Sequence, residues 1–133
     1  MVTRIYGLPD MKDGMTIINR ETKYFIASVM LNSPTGGYHS IAWIRYWRKK
    51  FIVCVNIRSE RISRLLFLKG IKKWCIDYDG DFCYLLDWNK LRMFLKLIKL
   101  MDKNIDIYEC KYQWFLREIR ALGFETKWDS PKP

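Results

Sequence analysis

The strict alternation from His39 to Trp47 constrains this chain more than any other feature. His39, Ile41, Trp43, Arg45 and Trp47 share one side of an extended strand, and Tyr38, Ser40, Ala42, Ile44 and Tyr46 share the other. A helix would scatter both sets around its axis. Arg48-Lys49-Lys50 then reads as a charged turn, and Phe51 to Ile57 returns with Phe51, Val53, Val55 and Ile57 on one face. Strands joined so closely run antiparallel. Lys23 to Leu31 is nearly all apolar and partly β-branched or aromatic, so it reads as a buried third strand of a meander. A helix starting after Asn19 is the competing assignment. Asn32 to Gly37 connects the first two of these strands. It lacks the Gly-Lys-Ser/Thr ending of a phosphate-cradling loop and reads as a hairpin connection.

Helical periodicity begins where the alternation ends. Ser59 is placed to cap a helix over Glu60 to Lys69, stopped by Gly70. Trp74 to Tyr78 and Phe82 to Leu86 form a second hairpin turning at Asp79-Gly80. Asp87 caps a longer helix, Trp88 to Asp102, whose apolar stripe is Leu91, Phe94, Leu95, Ile98 and Met101. Ile105 to Tyr108 is a short extended piece. Tyr112 to Leu122 is a further amphipathic helix with Phe115, Leu116, Ile119 and Leu122 inward, ended by Gly123. Thr3 to Tyr6 reads as a short first strand and Phe124 to Trp128 as a last edge strand, with a short extended piece at Met15 to Asn19 after the turn signals Gly7 to Asp10 and Lys12 to Gly14. The expected fold is α+β: an antiparallel sheet of about five strands with two or three amphipathic helices packed on one face. Residues 1–128 make one domain and 129–133 a loose C-terminal tail.

A chain of 133 residues that is half apolar and 29% charged can bury a core without disulfides or metals. Its longest apolar run, Tyr24 to Leu31 with Ser28 inside it, is too short to span a bilayer. MVTRIYGLPD has no apolar run before its proline, and Cys54, Cys75, Cys83 and Cys110 form no CxxC pair. The expectation is a cytoplasmic protein, or one made in a host-cell cytoplasm, with reduced thiols.

The charge is concentrated. Tyr38 to Lys73 holds ten basic residues and one acid, Glu60, a net of +9 in a chain whose total is +10. The cations are therefore a property of one stretch and not of bulk composition. Phosphate backbones require several cations on one surface, and unpaired bases require flat rings to stack on. The candidate binding residues are Trp43, Arg45, Trp47, Arg48, Lys49, Lys50, Arg58, Arg61, Arg64, Lys72 and Lys73. Trp43, Arg45 and Trp47 share a strand face beside the charged turn. The alternation does not say whether that face or its opposite is covered. Arginine between two tryptophans favours the exposed option, because a buried guanidinium needs a partner.

Other constellations are weaker. Asp77, Asp79 and Asp81 could hold a divalent cation for phosphodiester chemistry, but an exposed Asp- and Gly-rich turn accounts for them. Gly80 falls at the wrong position for a calcium-binding helix-loop-helix. His39 is the only histidine, and no cysteine stands at a spacing that makes a nucleophile pair or a zinc site with it. The lysines on the Trp88 helix fit a solvated face better than a membrane surface. No cofactor and no metal is expected. The sequence points to a non-enzymatic accessory protein that binds single-stranded or structured nucleic acid. The alternative is a small inhibitor or adaptor, of the kind phages and viruses make, docking on an acidic or nucleic-acid-binding protein surface. A metal-dependent nuclease using the aspartates is the third.

Overall fold

The structure, a computed structural model, describes residues 3–4, 25–32, 37–56, 58–76 and 80–124. The expected strand at Met15 to Asn19, the competing helix after Asn19, Ile57, the strand at Phe124 to Trp128 beyond its first residue, and the tail lie outside them. The elements, in chain order, are β1 (Thr3–Arg4), β2 (Phe25–Asn32), β3 (Tyr38–Trp47), β4 (Lys50–Val55), α1 (Glu60–Leu68), β5 (Lys73–Ile76), β6 (Phe82–Leu86), α2 (Trp88–Met101), β7 (Ile105–Tyr108) and α3 (Gln113–Ala121).

The strands form one sheet in the order β1-β5-β6-β4-β3-β2-β7, with antiparallel neighbours throughout. The meander of β2, β3 and β4 is its centre, as the alternation requires. The sheet is wider than expected because the two-residue β1 adds to one edge and β7 pairs with β2 at the other. Val53 lies opposite Ile44 on β3 and opposite Tyr84 on β6. That register puts Ala42, Ile44, Phe51, Val53, Val55, Tyr84 and Leu86 into one core.

The three helices among the described residues cover that same face. Leu91, Phe94, Leu95 and Ile98 of α2, and Phe115 and Ile119 of α3, have no exposed surface, and Ile62 and Leu66 of α1 are nearly as deep. The Asp87 side chain accepts the Lys90 backbone N–H at 2.8 Å and starts α2. Ser59 precedes α1, but its hydroxyl makes no capping hydrogen bond. Lys99 ties α2 to β7, its ammonium 3.3 Å from the Asp106 carboxylate and 3.0 Å from the Ile105 carbonyl. No helix among the described residues is long and apolar enough to cross a membrane.

The opposite face carries a second, smaller apolar layer. Ile52, Cys54, Trp74, Cys75 and Cys83 are buried there, with Trp43, Trp47 and Leu85 half-buried against them. None of the four cysteines is in a disulfide. Cys83 stands opposite both Cys54 and Cys75, with the Cys54 and Cys83 sulfurs 2.9 Å apart.

Candidate nucleic-acid interface

The charged turn is built on backbone that ordinary residues avoid. Trp47 and Lys50 are the last cross-strand pair of β3 and β4, so only Arg48 and Lys49 lie between the strands. Both take positive φ, 50° and 65°. A two-residue hairpin with two left-handed residues matches the twist of the strands, and it normally recruits Asn-Gly. A side chain with a Cβ costs about 1–2 kcal/mol at each such position. Two cations thus occupy the tip against local preference. Arg48, Lys49 and Lys50 are all exposed.

Aromatic rings flank this turn on both sides of the sheet. On the second face, Trp47 stacks on Trp74 at 6.4 Å between centroids, and the Arg48 guanidinium lies 4.6 Å over the Trp47 ring. Trp74 is buried, and Trp43 and Trp47 are half-buried. Arg45, on the same face, is only 5% exposed and its side chain is engaged, so it is not a surface cation. This corrects the expectation of an exposed Arg45. Arg45 does alternate with Trp43 and Trp47, but the face the three share is a second packed layer.

On the helix face the rings are open. Tyr46 points toward α3 and its ring lies 5.9 Å from that of Trp114; Trp114 stacks on Tyr112 at 6.1 Å, 30° from parallel. Tyr46 is 37% exposed, Trp114 39% and Tyr112 42%. Beneath them Phe51, Trp88 and Phe115 form the packed floor. Lys111 and Arg117, on either side of Trp114 in the chain, are exposed. Arg117 follows Trp114 by three residues on α3 and so shares its side of the helix. Sequence reasoning missed Tyr112 and Trp114. The available signal was that both lie off the inward stripe of Phe115, Leu116 and Ile119 while carrying large rings.

The remaining candidate cations do not join this group. Arg58, Arg61 and Arg64 are exposed at or on α1, which starts from the opposite end of β4. Six residues of strand are about 20 Å long. Arg58 and Arg61 line an open recess of about 590 Å³ with His39, Ser59, Glu60 and Asp102. Lys72 is exposed beyond α1, while the Lys73 ammonium sits 3.6 Å over the Phe82 ring. Asp77 and Asp79 lie outside the described residues. Asp81 is 5% exposed, which corrects the expectation that the whole cluster is a solvated turn. Among the described residues no three histidine, cysteine or acidic groups are arranged to hold a metal ion. Comparison with protein families, curated proteins and solved structures finds no match.

Proposed function

We propose that this protein binds nucleic acid without catalysing a reaction, through the β3–β4 turn and its surroundings. One observation carries the reading. The three turn cations Arg48, Lys49 and Lys50 are exposed, stand together at one hairpin tip, and make no ion pair among the described residues. Exposed lysine and arginine are ordinary on any surface, but neighbouring cations with no carboxylate partner keep a local positive potential that an external polyanion can use. The strained turn supports the same reading, because left-handed Arg and Lys persist only where something other than local stability favours them.

The turn also supplies the test. Replacing Arg48 by Asn and Lys49 by Gly installs the dipeptide this backbone prefers and removes two cations. The melting temperature should hold or rise. Affinity for an oligonucleotide should fall, and the slope of log K against log salt should lose about 1.4 units, at ~0.7 per lost phosphate contact on a single strand. Unchanged affinity and slope in a well-folded variant would rule the reading out.

A second reading, docking on an acidic protein surface, is favoured by a different place. Phe67 and Leu68 at the end of α1 are 73% and 72% exposed, beside Lys69 and Lys72. Phe67 and Lys72 border a recess of about 220 Å³. An apolar pair ringed by lysines suits a protein partner better than a phosphate chain. A stable complex with an acidic protein that survives nuclease treatment, and is lost in Phe67→Ser, would select this reading.

A further inference from the structure

We propose that the exposed rings of Tyr46, Trp114 and Tyr112 are a stacking platform, and that the ligand is therefore single-stranded nucleic acid with unpaired bases. The inference rests on the nucleic-acid reading and narrows it. Duplex bases are stacked on one another and offer only edges in a groove, whereas an unpaired base offers a flat face that aromatic side chains can cover.

The geometry fits that use. Three large rings run in contact. Tyr46 of β3 meets Trp114 of α3 edge-on at 5.9 Å and 66°. Trp114 and Tyr112, the residue before α3, lie 6.1 Å apart and 30° from parallel, so the faces offered to bases are those of the Trp114–Tyr112 pair with Tyr46 at its side. Core aromatics of this fold are covered: Phe51, Trp74, Tyr84, Phe94 and Phe115 are between 0 and 6% exposed. These three instead keep more than a third of their surface in water. Phe51 packs against Tyr46 and Trp114, and Phe115 against Trp114, so those two rings are held in place before a ligand arrives, and Tyr112 is held through Trp114. Binding to fixed rings forfeits little side-chain entropy. Tyr46 is two residues before Arg48, which puts the platform next to the cationic tip. On α3, exposed Arg117 and Glu118, three and four residues past Trp114, offset one another, so the positive charge beside the rings is that of the turn. A single strand laid across this corner sets its bases on the rings and its phosphates against the turn. Charge complementarity selects this occupant over a neutral apolar one. On the second face Trp47 is already covered by the Arg48 guanidinium, so it does not compete.

The test uses the intact protein and labelled DNA of ~15 nucleotides, either as an oligothymidine strand or as a duplex of the same length. Anisotropy titrations give affinity and salt slope for each. Trp114→Leu keeps apolar volume and removes the ring. It should weaken single-strand binding by ~5- to 150-fold, the contribution of about one stacked base, and leave the salt slope and duplex binding unchanged. Trp114→Phe should retain most of the affinity. Should Trp114→Leu fail to fold, Tyr112→Leu replaces it, since that ring has the most exposed surface of the three. If the leucine variant binds the strand as well as wild type while the Asn-Gly turn variant does not, the platform is wrong and the nucleic-acid reading survives. An equal loss on strand and duplex also overturns the platform. If wild type binds neither form at low salt, the underlying reading fails and the platform with it.

Discussion

The two ends of β3 hold the same kind of charge in opposite surroundings. At the turn end, the Arg48 guanidinium lies 4.6 Å over the Trp47 ring and the Lys111 ammonium 5.3 Å over the Phe25 ring, with Lys49 and Lys50 exposed beside Arg48. At the other end, Arg58 and Arg61 share an open recess with Glu60 and Asp102. Rings do not neutralise a cation; they hold its stem and leave its charge for a ligand. Carboxylates around a recess lower the local potential and leave less for an incoming phosphate. A net charge of +9 over one stretch therefore overstates the binding surface. What matters is which cations face rings and which face acids.

The comparison presumes that one core holds both ends. Helix α2 runs between them, from Trp88, whose ring lies 5.4 Å from that of Phe51, to Met101 and Asp102 at the recess. Leu95 sits on its buried stripe with no exposed surface. Leu95→Ala should cost about 2–5 kcal/mol, the largest effect expected here. Denaturant transitions followed by tryptophan fluorescence and by far-UV circular dichroism should move together. Separate transitions would mean that the ends fold independently and their chemistry should not be compared.

Much of this frame was legible in the sequence, and the reasons are local. Period-two alternation over His39 to Trp47 and helical stripes such as Leu91, Phe94, Leu95 and Ile98 are set by backbone geometry, so they show in any one segment. The covered face was not legible. Trp43, Arg45 and Trp47 alternate identically whether helices lie over them or beneath them, and only the long-range packing of α2 and α3 decides. Arg45 is buried all the same, because burial of a charge depends on a partner that no local pattern reveals. The aromatic platform was invisible for the same reason. Tyr46 and Trp114 are far apart in the chain and meet only once α3 has docked on the sheet.

The end of the sheet nearer the recess is fastened partly by its thiols. Cys54, Cys75 and Cys83 come from three adjacent strands and are at most 1% exposed. The hydrogen bond with Cys54 above all, then that with Cys75, and then burial push the Cys83 thiol well above its ordinary range. The native chain therefore keeps a proton that the unfolded chain loses near pH ~8.5. The stabilisation is fully present below that pH and is lost as pH rises from it toward the folded value. The denaturant midpoint of the wild type should fall between about pH 7 and about pH 10 by more than that of Cys83→Ala. Equal falls would show that the thiol cluster does not couple stability to pH. Oligonucleotide affinity at neutral pH should be the same in both proteins, since Cys83 contributes neither a cation nor a ring to the turn.

The smallest effect is expected at the recess itself, and it is the sharpest test of the contrast. Arg58→Ser with Arg61→Ser removes as much charge as the Asn-Gly turn variant, so the two proteins match in net charge. Long-range attraction depends on total charge and acts mainly on the association rate. Both variants should therefore slow association at low salt to a similar degree. Contacts made in the complex act on dissociation and on the counterions released. At physiological ionic strength the screening length is about 8 Å, shorter than β4, so the α1 arginines should not be felt at the turn. The recess variant should then change the salt slope by less than about half a unit, against ~1.4 at the turn, and leave the dissociation rate at its wild-type value. An equal loss of slope at both ends would mean that nucleic acid follows total charge around the molecule and that the aromatic surroundings of the turn confer nothing.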